Sequence, residues 1–212
     1  MNGNSNSLQP TGTQERLRQA ALDLFTEQGY QNTSLRDLAT RLGIGAGSLY
    51  NHIESKQALL FDLVEECMSD LLSLTRARLK AAQGTRPRLR AFVGAFIEFQ
   101  QGERKRLQLM LRERRNLNAE QNRLLAALRN DYTQCLTGII GSTPARRGLE
   151  GSRMKFFTSG VIGMLESLPD AEDSESPLPP QLIAEQLTEM ILGAAASLEP
   201  PFSAGPEIRA TR

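Results

Sequence analysis

Along most of this chain apolar residues recur at i, i+3, i+4 and i+7, the period of a helix that buries one face. Between Gln14 and Gln28 they are Leu17, Ala20, Ala21, Leu24 and Phe25, with Thr13 placed to cap the start and Gly29 to end the helix. In "TSLRDLATRLG" the stripe is Leu35, Leu38, Ala39 and Leu42. Ser34 followed by Asp37 has the spacing of a capping box, and Gly43 is a stop. Only Gly43–Gly45 separates this helix from a segment, Ala46–Ile53, of two turns at most. A turn so short makes the two helices cross steeply, as in a helix-turn-helix, with Ile44, Leu49 and Ile53 as anchors to the first helix.

Ser55 caps a long fourth helix reaching about Ala82, with Leu59, Leu60, Leu63, Val64, Cys67, Met68 and Leu71 along its buried side. "TRPRLRAFVGAFIEFQ" places Leu89, Phe92, Phe96 and Phe99 on one side, and the short "RKRLQLMLRERRN" is heavily basic. A further helix opens at Asn118 or Ala119 and is expected to carry Leu124, Leu125, Leu128, Tyr132, Cys135, Leu136 and Ile139 inward. Arg153–Leu168 and Gln181–Leu198 are the last two helices. "GSTPARRG" and "PDAEDSESPLPP" are the breaks around them. Residues 1–12 read as a disordered polar arm and 199–212 as a disordered tail. The boundaries that follow are 13–56 for a helix-turn-helix domain and 57–198 for a larger helical domain.

Composition removes several alternatives. The 212 residues are 40% hydrophobic and lack tryptophan, so a real core forms without many aromatics. No apolar run reaches about 18 residues, which predicts no membrane span, and the first residues lack a signal-peptide pattern. The expected location is cytoplasmic, with Cys67 and Cys135 as free thiols in apolar helical patterns. Net charge is +1, and residues 1–56 balance five basic against five acidic side chains. That balance counts against nucleic-acid binding unless the positive groups gather on one face. A single histidine, His52, leaves no catalytic triad or metal-ligand cluster, so catalytic residues, metal and cofactor are all expected to be none.

A two-turn helix survives only when packed or bound. Leu49 and Ile53 cover one side of Ala46–Ile53; the other offers Ala46, Gly47, Ser48, Asn51 and His52. Small residues allow close approach, Asn51 can donate and accept at a base edge, and Tyr50, His52 and Lys56 reach flanking phosphates. Tyr50 could also pack its ring on the first helix, and Lys56 could be a solvated lysine. A cation at a helix N-terminus favours a nearby anion.

"AALDLFTEQGYQNTSLRDLATRLGIGAGSLYNHIESKQALL" resembles the DNA-binding domain of the tetracycline-repressor (TetR/AcrR) family of bacterial transcription regulators. The features that carry it are "LF-E-GY--TS", "A--LG", "GSLY-H" and "SK-ALL". The resemblance implies an all-α protein of about nine helices. A three-helix helix-turn-helix domain would be joined by a long helix to a C-terminal ligand-binding and dimerisation domain. It implies phosphate contact at Thr33, base-facing positions at Ala46, Gly47 and Asn51, and phosphate contacts at Tyr50, His52 and Lys56, with Ser48 on the same face. Gly45 stands where a serine is common, which weakens a cap, and Ala46 stands where a lysine often reaches a base.

The same resemblance implies a pocket among the middle helices, for which Phe92, Phe96, Phe99, Met110, Tyr132, Phe156 and Phe157 are candidates. Aromatic stripes at this spacing are also ordinary core. The basic cluster Arg104, Lys105, Arg106, Arg112, Arg114 and Arg115 is either a solvated face or a rim, Arg114 foremost, for an acidic head on a fatty tail. The expected effector is a small hydrophobic or amphipathic molecule, and the similarity of "LRERRNLNAEQNRLLAALRNDY" to regulators of this family that respond to acyl-thioester or fatty-acid ligands implies acyl chains.

The apolar stripe of 181–198 is wider than one neighbour needs, and Gly160 and Gly163 permit close helix approach. A dimer surface is expected at Phe157, Val161, Met164, Leu187, Met190, Ile191 and Ala194, giving a two-fold homodimer on a palindromic double-stranded DNA operator. The expected activity is a ligand-responsive repressor: ligand binding changes how the long helix hangs, and operator affinity falls. The alternatives are an activator of the same family and a helical protein-binding adaptor that makes no DNA contact.

Overall fold

The computed structural model describes residues 12–142, 151–169 and 178–197. The expected arm and tail, and most of the two breaks near 143–150 and 170–177, lie outside them. Nine α-helices occur among the described residues: α1 (Thr13–Gln28), α2 (Leu35–Leu42), α3 (Ala46–Leu49), α4 (Lys56–Lys80), α5 (Thr85–Gly102), α6 (Arg104–Glu113), α7 (Ala119–Gly141), α8 (Gly151–Glu166) and α9 (Pro180–Ala196). A 3-10 turn, Arg114–Asn116, follows α6. The all-α expectation holds.

Capping explains most of the boundaries. At α2 the Ser34 hydroxyl accepts the Asp37 N–H (3.2 Å) while Asp37 Oδ2 accepts the Ser34 N–H (2.7 Å), so two orphan donors are satisfied reciprocally. Gly43 then adopts φ +68°, ψ +29°, the left-handed conformation that ends a helix, and its N–H returns to Ala39 and Thr40 carbonyls. Ser55 Oγ accepts the Ala58 N–H at 2.9 Å and starts α4. Asn118 and Gln121 form the same reciprocal box at α7, at 2.9 and 3.1 Å. Thr13 is not a cap. Gly12 occupies that position, and glycine has no side chain to offer the first turn.

The third helix is shorter than expected, four residues instead of eight. Gly45 before it likewise supplies no side-chain cap. After Leu49 the chain continues in turns, with His52 and Ile53 N–H groups both returning to the Leu49 carbonyl at 2.9 and 3.2 Å.

The described residues fall into two compact units. One comprises residues up to Ser73 together with Phe99–Arg129. The other comprises Leu74–Glu98 and residues from Asn130 onward. The compact unit that contains the helix-turn-helix is therefore larger than 13–56: it includes most of α4, all of α6 and the first half of α7. In the first unit α1 packs on α2 and α6, and α2 on α3. Phe25, Leu38, Leu49, Leu60, Met68, Leu109 and Met110 are fully buried there. In the second, Leu89, Phe92, Val93, Phe96, Leu136, Ile139, Leu165 and Ile191 make the core. Burying a Leu or Phe side chain contributes about 1.5–3 kcal/mol, so these interiors dominate the stability of each unit.

Candidate DNA-recognition segment

Leu49 is the hinge pin of α3: fully buried, with Ile44 and Ile53 half-buried on either side. Burying Leu49 turns the rest of the segment outward. Gly47, Ser48, Tyr50, Asn51 and His52 are all exposed, Tyr50 at 61%. Tyr50 therefore does not pack its ring away on α1. A Cβ built at Gly45 or Gly47 would meet no atom within 4 Å, so nothing within this chain requires glycine at either position. Ala46 opens the helix.

Two residues expected at the phosphate contacts are instead used within the protein. Thr33 is 1% exposed, and its hydroxyl donates to the Gly29 carbonyl at 2.9 Å and faces that of Leu24 at 3.4 Å. It closes the turn between α1 and α2, and its hydroxyl has no route to a phosphate. Lys56 Nζ donates to the Tyr30 and Thr33 carbonyls at 2.9 and 2.8 Å and lies 4.3 Å from the centre of the Tyr30 ring. Burial pushes the Lys56 pKa down from its ordinary value, the sign of an ammonium partly stripped of water. The anion that a lysine at a helix start calls for is replaced by two carbonyl dipoles and a π face.

The far side of this turn is held from α6. Glu113, 4% exposed, accepts from Arg112 Nε (2.9 Å), from Asn116 Nδ2 (2.6 Å) and, through a longer bond of 3.4 Å, from the Tyr30 N–H. Arg112 also donates to the Phe25 and Thr26 carbonyls, capping the C-terminal end of α1. Gln31 Nε2 donates to Asn116 Oδ1 at 2.8 Å, and Tyr30 Oη donates to Gln57 Oε1 at 2.8 Å. Sequence reasoning missed Glu113 because an acid amid five arginines looks like surface charge. Its only signal is its position in the helical period, on the side of Leu109 and Met110.

The family model described as "Bacterial regulatory proteins, tetR family" matches residues 17–63, and "Tetracyclin repressor-like, C-terminal domain" matches residues 83–195. The chain belongs to the tetR family. The transcriptional activator FasR of Mycolicibacterium smegmatis is 25% identical over 145 residues, 68% of this chain and 65% of that protein. The transcriptional repressor KstR2 of Rhodococcus jostii is 27% identical over 131 residues, 61% of this chain and 64% of the relative. In each case the aligned stretch thus spans just under two thirds of the relative's length. A crystal structure of a tetR-family regulatory protein from Rhodococcus RHA1 superposes with a TM-score of 0.76 at 22% identity. The match covers 86% of this chain and 96% of the other, and it shows the shared fold.

The TetR-type chain pairs most of its basic cluster internally, with Arg115 exposed. Lys105 pairs with Asp23 at 2.7 Å, and Arg106 pairs with Asp70 at 2.6 Å, Glu103 at 3.4 Å and Glu66 at 3.6 Å. Arg112 is committed as described, and Arg104 and Arg114 also have partners. Through Lys105, Arg106 and Arg112, α6 is fastened to α1 and α4.

The aromatic candidates separate. Phe92, Phe96 and Tyr132 are buried in the second unit, with the Phe92 and Tyr132 ring centres 4.8 Å apart. Phe99, Met110 and Arg114 belong to the first unit. Phe156 is 81% exposed, so it lines no interior, because α8 turns Met154, Thr158, Val161, Ile162 and Leu165 inward and Phe156 away from them. Phe157 is half-buried.

Among the expected dimer residues, Val161, Leu187 and Ile191 are buried within this chain and are therefore core. Phe157 and Met164 are half-buried, and Met190 (60%) and Ala194 are exposed. Leu182 and Phe156, which the expected dimer set omitted, are exposed as well. Both cysteines are free thiols, and no group of His, Cys, Asp and Glu among the described residues could hold a metal ion.

Proposed function

We propose that this chain is a DNA-binding transcriptional regulator that reads a palindromic operator as a homodimer and is released by a small hydrophobic or amphipathic effector. The observation that supports it best is the α2–α3 pair. A doubly capped helix and the buried Leu49 hold a short segment whose remaining side chains, Ser48, Tyr50, Asn51 and His52, face solvent. Asn51 offers both halves of a base-edge hydrogen bond, Tyr50 and His52 suit flanking phosphates, and Gly47 allows a backbone to come close. Two such segments about a two-fold axis would sit about 34–36 Å apart or a multiple of it.

The proposed dimer surface is the outer face of α8 and α9: Phe156, Gly160, Gly163, Leu182, Met190 and Ala194. Gly160 and Gly163 have open space where a Cβ would be, which suits a helix from a second copy. The proposed effector site is the apolar interior of the second unit around Phe92, Phe96 and Tyr132. Helices α4, α5 and α7 each run from one unit into the other. An effector that prefers one arrangement of these helices would shift operator affinity through them.

Repression is the reading taken for the direction of regulation; activation is the alternative, carried by the name of the FasR relative. Pull-down of genome fragments with purified protein, then a reporter driven by the enriched site, tests the whole reading. A palindromic site whose binding is lost in Tyr50→Ala is expected. Failure to enrich any site, or binding indifferent to Tyr50→Ala and Asn51→Ala, would return the chain to the class of helical protein adaptors.

A further inference from the structure

Phosphate neutralisation supplies nearly all of non-specific DNA affinity, so a DNA-facing segment with no net charge must keep some cations uncommitted. Residues 12–56 contain five: Arg16, Arg18, Arg36, Arg41 and Lys56. Three are taken. Arg18 pairs with Glu66, Arg41 pairs with Glu27 at 3.0 Å, and Lys56 is enclosed by the Tyr30 and Thr33 carbonyls and the Tyr30 ring. Among the described residues of this segment, only Arg16 and Arg36 present exposed cations that make no side-chain hydrogen bond or ion pair.

We infer that Arg36 and Arg16 carry the charge contact with the DNA backbone, and that Lys56 is a positioning residue that shapes the turn ahead of α2. The inference rests on the DNA-binding reading above and assigns the charges within it. Arg36 lies in the first turn of α2, the helix packed against α3, on the side opposite the buried Leu38. Its neighbour Asp37 attracts it without forming an ion pair: Asp37 Oδ2 accepts the Ser34 N–H and hydroxyl, both at 2.7 Å, and the Arg36 charge adds only the smallest contribution to lowering the Asp37 pKa. Arg16 stands on the exposed side of the first helical turns of α1. Lys56 acts by different means. Two of its three N–H donors bind carbonyls that flank Gln31 and Asn32, which fixes the turn and with it the entry into α2.

The dependence of binding on salt separates the two roles. Full-length protein is titrated by fluorescence anisotropy onto a labelled random-sequence DNA duplex at several salt concentrations between about 50 and 200 mM. Removing one phosphate interaction lowers the slope of log K against log salt by about 0.9. Arg36→Ala and Arg16→Ala are each expected to reduce it by roughly two per dimer, one phosphate from each subunit. Lys56→Met is expected to shift the line downward in parallel at unchanged slope, with Lys56→Arg restoring part of the affinity. Arg123→Ala, an exposed cation of α7 in the same unit, is expected to change neither. A lower slope in Lys56→Met, or an unchanged slope in both arginine variants, overturns the assignment. Should Lys56→Met fail to fold, the two arginine slopes decide alone. Wild-type protein that shows no salt-dependent binding at all overturns the regulator reading itself, and the assignment with it.

Discussion

The Glu113 carboxylate accepts a hydrogen bond from the Tyr30 backbone N–H, 83 residues earlier in the chain. That bond is long, but the same carboxylate also gathers Arg112 and Asn116, and all three donors point at a nearly buried acid. Glu113→Gln replaces an acceptor oxygen by a donating NH2 group inside this ring of donors. A loss of about 1.5–3 kcal/mol in urea unfolding is expected, the range for a hydrogen-bonded charged group. A change below about 0.5 kcal/mol would show that the turn after α1 stands without α6.

Asp37 carries a pH dependence of definite sign. Hydrogen bonds from the Ser34 hydroxyl and N–H hold its carboxyl below the ordinary value of 3.8. A depressed pKa stabilises the fold above the unfolded value, and that stability fades as pH falls through the folded one. The stability gap between wild type and Ser34→Ala should therefore be full at neutral pH and close in acid. Thermal melts across that range read it; a gap that widens in acid contradicts the capping box.

Gly43 is a backbone requirement only. No atom lies within 4 Å of a Cβ built there, yet φ is +68°. Gly43→Ala should cost about 1–2 kcal/mol through left-handed strain, and Gly43→Asn less. Gly47→Ala, with equally open space and no positive φ, should leave the melt near wild type while weakening DNA binding.

On the proposed dimer face, Met190→Asp and Gly160→Trp should yield a folded monomer. Neither position is enclosed by the chain itself, so helicity should persist while the mass seen by light scattering halves. A dimer that survives both changes would place the two-fold interface elsewhere.

The cysteines should differ in reactivity. Burial pushes the Cys67 thiol up to about 12, reinforced by Asp70, Glu103 and Glu66 and opposed by Arg106. At roughly pH 8 only about one in ten thousand such thiols is ionised, and the thiolate is the nucleophile. Iodoacetamide on native protein should label the half-buried Cys135 and spare Cys67 until the chain unfolds.

Where helix signals act through neighbours three or four residues away, the chain announced its structure. The Ser34–Asp37 box, the Gly43 stop and the Leu17–Phe25 stripe are local, and all three hold. The length of α3 was not readable in this way. Gly45 supplies no cap, and whether Tyr50–Ile53 continue the helix is decided by how Leu49 seats in the core. Site roles failed where a partner was distant in sequence. Lys56 reads as a free cation until Tyr30 and Thr33 are folded beside it. The cluster 104–115 reads as a basic rim until Asp23, Glu66 and Asp70 meet it. Phe156 and Phe157 are adjacent and chemically identical; only the rotation of α8 makes one exposed and the other half-buried.

The first unit is assembled from two stretches of chain, residues up to 73 and residues 99–129. During synthesis the α2–α3 pair leaves the ribosome long before Arg112 and Glu113 exist to cap α1 and hold its following turn. The proposed recognition segment of a nascent chain therefore emerges before the contacts from α6 to α1 and Tyr30 can form. Growing at about 5–20 residues per second, the chain needs several further seconds to supply that clasp. An N-terminal fragment ending at α4 would carry every proposed DNA-facing residue and still lack the Arg112, Glu113 and Asn116 contacts to α1 and the turn that follows it.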